Sequence, residues 1–410
     1  MPMNILLINH YAGSPEMGME YRPYYLSREW IKMGHEVTII LANNSHIRQY
    51  NPPQDNDFRE EIIDKIKYVW VKTPSYNGNG VGRIKNIYAF VNKINKKADY
   101  IAKEYKPDVV IASSTYPSDN YVAHKIAKRS KAKYIYEVHD LWPLSPMELG
   151  GMSKYHPFIM AMQHGENYAY KNADAVISML PKTQEHMKTH GLDLKKWYYI
   201  PNGIKLSEWK TKKPLNSITE KQISDIKAKY EKTVAYTGTL GLANALESLI
   251  LSAKLAQEVG FVIIGKGPEK DNLLELVKKE KISNVFILNA VGKQEIPSLL
   301  ELFDFLYIGL QYQPLFRFGI SPNKLIDYMM ASKPIIQAIE AGNNVVKEVA
   351  CGIDIEPENS EAIELAINNL MDLPKSELKQ MGDNGREFVL KNHDYKVLAE
   401  KFVKIISDIN

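Results

Sequence analysis

Residues 321–336 read Ser-Pro-Asn-Lys-Leu-Ile-Asp-Tyr-Met-Met-Ala-Ser-Lys-Pro-Ile-Ile, and their pattern sets the reading of the whole chain. Ser321 is a suitable N-cap and Pro322 a suitable first helical residue. Lys324 then falls in the first turn, with Asp327 three residues on, on the same side. A helix N-terminus beside a lysine attracts a phosphate anion. A carboxylate one turn down accepts hydrogen bonds from sugar hydroxyls. Ser332-Lys333-Pro334 ends the helix, and Pro334 to Ile339 reads as a strand. Phosphate plus diol is the outline of a nucleotide-sugar. An ordinary capped surface helix is the competing reading of the same residues.

This stretch resembles the donor-binding helix of family 4 glycosyltransferases, which have the GT-B architecture. The family holds its donor with two glutamates separated by seven residues and continues into a Lys-Pro-Val-Ile-like strand. Asp327 stands at the second glutamate, which the resemblance assigns to the ribose hydroxyls; Gly319 stands at the first. The wording around Ser321, Asn323, Lys324 and Asp327 is similar to a subgroup that builds bacterial O-antigen and capsule chains, especially transferases of N-acetylated deoxyhexosamines. The likeness runs from residue 3 to about residue 390 and is most specific at 319–336, 136–150 and 200–203. It implies donor contacts from Asn202, Ser321 and Asn323.

Composition is compatible with this. The 410 residues allow two or three domains, and 45% hydrophobic with 24% charged residues fits full cores. A net charge of +4 does not point to nucleic acid. The one cysteine, Cys351, rules out an intrachain disulfide framework and suits a reducing cytosol. The chain opens almost at once on the strand-like Asn4–Ile8, without a charged leader, and no segment reaches the roughly 20 apolar residues that span a bilayer. The expectation is a cytoplasmic protein whose membrane contact, at the inner face, is peripheral.

Apolar runs alternate with helical periodicity along both halves. Strands are expected at 5–8, 37–41, 68–71, 109–112, 134–138 and 175–178, with helices at 20–33, 83–105, 118–130 and 157–172. After Pro201-Asn202-Gly203 a lysine-rich stretch, 205–232, shows little strand character. Strands resume at 234–238, 261–265, 285–288, 305–308 and 334–339, with helices at 245–257, 269–279, 295–301 and 360–372. Such alternation predicts an α/β protein with two Rossmann-like doubly wound domains, 1–203 and 204–394, and ligands at the carboxyl ends of the strands, in a central cleft. The resemblance implies that a terminal helix near 395–410 folds back on the first domain.

In the first half, Asn9-His10-Tyr11-Ala12-Gly13 ends a strand without the GxGxxG fingerprint. The loop still lets backbone N–H groups approach a diphosphate near Gly13. His10, Glu16 and Arg22 are candidate acceptor contacts; a plain strand-to-helix turn is the rival reading. His35 is read as structural. In Glu137-Val138-His139-Asp140-Leu141-Trp142-Pro143 the resemblance turns His139 toward the reacting sugar, and Asp140 is suited to fix its tautomer. Trp142 offers an aromatic face to an acceptor sugar, or simply packs.

In the second half, Tyr236-Thr237-Gly238-Thr239-Leu240-Gly241 begins the donor domain. Family members commonly carry an arginine just after this glycine and a lysine five residues beyond it; here Thr239 and Asn244 occupy those positions. Lys324, Arg317 and Lys266 are the substitute cations, Lys324 first because the helix N-terminus adds to it. Asp55-Asn56-Asp57 is a DxD triplet of metal-chelating type, read here as a solvated turn, and no Cys/His cluster with zinc spacing is recognised. No metal or other cofactor is therefore expected. Ile84, Ile87, Val91 and Ile94 form an apolar stripe among Arg83, Lys85, Lys93, Lys96 and Lys97. That stripe suits either an anionic bilayer or the sheet.

Taken with these residues, the resemblance implies a metal-independent retaining glycosyltransferase moving a sugar from a UDP-sugar to a glycan or polyprenyl-diphosphate-linked acceptor. The catalytic candidates are His139, Asp140 and Lys324; the donor contacts are Gly13, Asn202, Gly238, Thr239, Lys266, Arg317, Ser321, Asn323, Lys324 and Asp327. A nucleotide-sugar 2-epimerase of the same architecture and a non-catalytic binding subunit are the alternatives.

Overall fold

The computed structural model describes residues 2–18, 21–53, 56–78 and 80–409. The chain forms two compact units, Met1–Asn202 with Tyr395–Asn410, and Gly203–Asp394.

Among the described residues, the first unit is built on eight strands: β1 (Asn4–Ile8), β2 (Glu36–Ala42), β3 (Arg59–Ile63), β4 (Ile66–Val71), β5 (Val109–Ala112), β6 (Lys133–Val138), β7 (Ala175–Ser178) and β8 (Trp197–Tyr199). Their order is β3-β4-β2-β1-β5-β6-β7-β8. Every pairing is parallel except β3 with β4. The central strands are continuous apolar runs because helices cover both faces. Sequence reading passed over β3 and β8. β3 alternates half-buried and exposed residues at a sheet edge, and β8 is three residues long, so neither carries an apolar run. The helix Tyr395–Asp408 presents Tyr395, Leu398, Phe402 and Ile406 to the core formed by Ile5, Leu7 and Trp30. The Phe402 ring meets Trp30 edge-on at 5.1 Å.

The helix Val81–Tyr105 carries the apolar stripe. Ile87 and Ile94 are buried and Val91 packs beside Tyr11 and Tyr116, so these three belong to the core, whereas Ile84 is exposed. The large apolar and aromatic side chains this helix shows to solvent are Val81, Ile84 and Tyr88 in its first turns and Tyr100 further along.

The second unit has six parallel strands, β9 (Lys232–Thr239), β10 (Val259–Lys266), β11 (Val285–Asn289), β12 (Phe305–Gly309), β13 (Ile335–Ala338) and β14 (Gly352–Ile355), in the order β11-β10-β9-β12-β13-β14. The lysine-rich stretch is partly helical, at Leu206–Lys210 and Ser217–Lys227. Asn216 caps the second of these by accepting from the Thr219 N–H at 2.9 Å, and Ile223 and Ile226 fix it to the core. An 18-residue helix, Lys375–Asn392, was missed because its sequence is largely polar. It packs on the helix Asn323–Met330, and a Cβ at Gly382 would lie 2.1 Å from the Ser332 carbonyl oxygen, so the approach requires glycine.

Candidate functional site

In an open parallel sheet, ligands bind at the carboxyl ends of the strands where the strand order reverses. In the second unit that point lies between β9 and β12. The loop after β9 carries Thr239 and Asn244; the segment after β12 leads into the helix Asn323–Met330. This helix begins one residue later than the sequence suggests. Pro322 is the N-cap, with extended backbone and no side-chain cap bond, so Ser321 stands outside it. Proline lacks the N–H that would continue the helix upstream, and its ring fits this turn.

Lys324 keeps its place in the first turn. Its Nζ donates to Tyr236 Oη at 2.7 Å and to Asn244 Oδ1 at 3.2 Å, and lies 3.8 Å from the Tyr236 ring centroid. Tyr236 Oη in turn donates to the Thr239 carbonyl at 2.6 Å, and Asn244 Nδ2 donates to the same oxygen at 3.2 Å. Burial lowers the Lys324 ammonium pKa to about 7. The cation therefore sits against the residue that replaces the family's lysine. Tyr236 and Asn244 are neighbours of Lys324 that sequence reasoning did not assign. Asn244 was legible only as a departure from the pattern.

Asp327 is buried, and its Oδ2 accepts from Lys293 Nζ at 2.5 Å. Its Oδ1 has no hydrogen-bond partner among the described residues. An ionised carboxylate held by one oxygen still offers acceptor sites on the other. Lys293, in the short turn Lys293–Glu295 after β11, was not foreseen. Nothing in its sequence points to a partner 34 residues away.

Gly319, at the position of the missing glutamate, has φ 97° and ψ 172°. That region is essentially restricted to glycine. The segment is further held by the Phe316 carbonyl, which accepts from Gly319 N and Gly342 N at 2.8 Å each. The Asn343 side chain clasps both backbone groups of Ile320, at 2.7 and 3.1 Å. Arg317 donates from Nη1 to the Pro314 carbonyl at 2.7 Å, and its guanidinium lies 4.3 Å from the Phe318 ring centroid. Lys266 ends β10 with its side chain exposed, and Gly238, Thr239 and Asn323 line the same strand-end region.

In the first unit the reversal lies between β1 and β5. Asn9 Nδ2 donates across it to the Ser113 carbonyl at 2.7 Å. Ser113 Oγ donates to Glu137 Oε2 at 2.6 Å and lies 2.9 Å from His139 Nε2. His139 Nε2 is 3.2 Å from Glu137 Oε2. The carboxylate bonded to the imidazole is thus Glu137, two residues before it, where Asp140 was expected; Asp140 is exposed. Sequence alone does not reveal this, because residues two apart on a strand share a face only if the strand continues through both.

Arg22 is corrected from acceptor contact to structural ion pair. It is buried, bonds Glu137 through Nε at 3.0 Å and Nη2 at 2.9 Å, and donates to the Pro201 and Ile200 carbonyls at 2.5 and 3.1 Å. Burial pushes the Glu137 carboxyl up, but the Arg22 guanidinium and the hydrogen bonds from His139 and Ser113 outweigh it and hold it well below the usual range. His10 is corrected likewise. It is wholly buried, its Nδ1 is 2.6 Å from Tyr116 Oη, and its ring is 4.6 Å from Phe90. Burial, then Arg48, lowers its pKa well below the ordinary value. An apolar wall between the sheet and the helix Val81–Tyr105 claims it.

Glu16 is exposed on the short turn Pro15–Met17, and Gly13 is buried, its carbonyl accepting from Tyr68 Oη at 2.9 Å. Trp142 is half-buried between Phe158 and Arg83, with ring and guanidinium separations of 6.0 and 5.5 Å. Asn202 is half-buried, next to the Pro201 carbonyl that Arg22 holds. His35 accepts from the Met3 N–H at 3.1 Å, a structural role. Asp55 lies outside the described residues. Asp57 accepts from the Lys72 N–H at 2.9 Å and pairs with Lys93 at 2.7 Å.

Two family descriptions match the chain: Glycosyltransferase Family 4 over residues 17–208 and Glycosyl transferases group 1 over residues 218–388. No curated protein matches it in sequence. Among solved structures it is similar to Anabaena Alr3699/HepE in complex with UDP and glucose, at 15% identity and TM-score 0.67, covering 99% of this chain and 100% of that one. A glycosyltransferase from Rickettsia africae ESF-5 gives 16% identity and TM-score 0.69, covering 99% and 98%. WaaG, a glycosyltransferase involved in lipopolysaccharide biosynthesis, gives 15% and 0.64, covering 98% and 100%.

Proposed function

The chain belongs to the GT4-type glycosyltransferases of GT-B architecture, and from that premise we propose that it moves a sugar, with retention, from a UDP-sugar to a glycan or lipid-linked acceptor in surface polysaccharide synthesis. The observation that carries this reading is the helix Asn323–Met330, which combines the Lys324 amine, an N-terminal dipole and Asp327 Oδ1, without a hydrogen-bond partner among the described residues, at one strand-order reversal. UDP as the nucleotide is supported by the HepE neighbour, and polysaccharide synthesis by WaaG and by the wording of residues 321–329. That wording also favours an N-acetylated hexosamine or deoxyhexosamine.

The roles divide by domain. In the second unit, Lys324 and the helix N-terminus meet the diphosphate, and Asp327 accepts from the ribose hydroxyls. In the first, Glu137 and Ser113 hold His139 Nε2, which orients the ring toward the donor sugar or the acceptor hydroxyl. The bond from the anomeric carbon to the diphosphate breaks, the acceptor oxygen forms the new bond, and its proton passes to the departing phosphate. Positioning and leaving-group stabilisation supply the rate, and no protein nucleophile is invoked. With the charge met by Lys324 and the helix, the reaction is proposed to run without a metal. No described helix is long and apolar enough to cross a membrane. Peripheral contact at the inner face of the membrane is assigned to Val81, Ile84 and Tyr88, with Lys85 among them.

A panel of UDP-sugars offered with a polyprenyl-diphosphate-linked glycan tests the proposal. Transfer from one donor is expected. UDP binding without transfer from any donor would instead favour a binding subunit.

A further inference from the structure

Glu166, His186 and His190 bring one ligating atom each to within 4.8 Å of one another, in the first unit and apart from every residue discussed above. Glu166 lies buried on the helix Pro157–Asn172. His186 lies on the helix Gln184–Thr189 and His190 caps its end, four residues on, so both rings project from one face. Their centroids are 4.6 Å apart. The sequence reading recognised no Cys/His cluster with zinc spacing, and the glutamate lies twenty residues upstream of the first histidine.

Bond lengths of about 2.1 Å place tetrahedral ligands about 3.4 Å from each other. Glu166 Oε1 and His186 Nε2 are 3.5 Å apart, already at that separation. The surroundings fit a ligand shell. Tyr170 Oη donates to Glu166 Oε1 at 2.9 Å, and Gln163 Nε2 to Glu166 Oε2 at 2.6 Å. Gln163 Nε2 also approaches Asn167 Oδ1 at 2.8 Å and His190 Nδ1 at 2.9 Å. An amide has two hydrogens. With those given to Glu166 and Asn167, His190 Nδ1 keeps its own proton and donates it to Asn167 Oδ1, 3.2 Å away. That tautomer leaves the Nε2 lone pair for a metal, the usual outer-shell arrangement of a ligating histidine.

We propose that Glu166, His186 and His190 form a binding site for a divalent transition metal of the zinc class, clipping the helix that precedes β7 to the helix that follows it. Two imidazoles and a carboxylate are borderline donors that suit such an ion, and three protein ligands leave one position for water. A ligand that binds only the folded chain raises its stability.

The test uses the full chain, stripped with chelator and titrated with Co²⁺ and then Zn²⁺. Co²⁺ should give a visible d–d absorption band saturating near one equivalent, displaced by Zn²⁺, and Zn²⁺ should raise the thermal midpoint. Both signals should disappear in His186→Ala and in His190→Ala, with UDP affinity unchanged. Should either fail to fold, His190→Asn replaces it. No band and no midpoint shift in the unaltered protein would overturn the site, as would a band that survives in the variants.

Discussion

Lys324 Nζ, on the helix after β12, lies 3.2 Å from Asn244 Oδ1, on the loop after β9. Asn244 occupies the position where family members commonly carry a lysine. A cation is thus supplied from 80 residues further along, at the place where the pattern loses one.

Replacing Lys324 by alanine should therefore impair turnover more than donor binding. Charge grows on the diphosphate as the glycosidic bond breaks, so the cation matters most in the transition state. The expected fall in kcat is about 10²–10³-fold, as for other single-donor losses. Steady-state kinetics with saturating donor measure it. An effect confined to KM would assign Lys324 to ground-state binding.

UDP affinity should depend on pH through the same residue. Burial lowers the Lys324 pKa to about 7, and a bound diphosphate raises it again. Below about pH 7 the amine is already charged and affinity is flat. Above it, binding must take up a proton, so affinity falls, by up to about tenfold per pH unit until the bound-state pKa is reached. Calorimetry in buffers of differing ionisation enthalpy should detect the proton uptake at pH 8. Lys324→Met should abolish it.

His139→Ala should lower kcat while leaving UDP affinity near normal, since the imidazole is assigned to the sugar and the nucleotide contacts are assigned to residues of the second unit. A general acid–base or orienting group of this kind contributes about 10²–10⁴-fold. Isothermal titration with UDP, beside the kinetic assay, separates the two effects.

Glu137→Gln should destabilise the first unit. It leaves the Arg22 guanidinium buried without its counter-ion, a change that costs about 3–5 kcal/mol. Because the folded carboxyl is held well below its ordinary value, its contribution is complete above about pH 4.3 and is lost as pH falls toward the folded pKa. Urea denaturation should show the deficit at pH 7 and a smaller one in acid.

The two sheets were legible because buried parallel strands are runs of apolar residues, as in Val109–Ala112 and Ala175–Ser178. The edge strand Arg59–Ile63 and the polar helix Lys375–Asn392 carry no such run and were not. At the site, Lys324 and Asp327 were legible because helical spacing is local. Their partners Asn244 and Lys293 come from other loops, and only the folded sheet brings them close. Arg22, in the first turn of the helix Tyr21–Lys32, and His10, just past β1, misled because sequence does not show whether a polar side chain near the strand ends faces a ligand or the interior; Arg22 meets the buried Glu137 and His10 meets Tyr116 and Phe90. At the position of the missing glutamate, the loop at Gly319 adopts dihedrals that a glutamate would hold only at about 1–3 kcal/mol of strain.

The helix Asn323–Met330 is proposed to hold the nucleotide through Asp327, and UDP calorimetry on Asp327→Ala tests this assignment. The variant keeps its apolar neighbours Leu325, Ile326 and Tyr328, and circular dichroism monitors its fold. Loss of a charge-assisted bond to the ribose hydroxyls should weaken UDP binding by about 1.5–3 kcal/mol, roughly 10- to 150-fold. A folded variant that binds UDP as tightly as the unaltered protein would contradict the account.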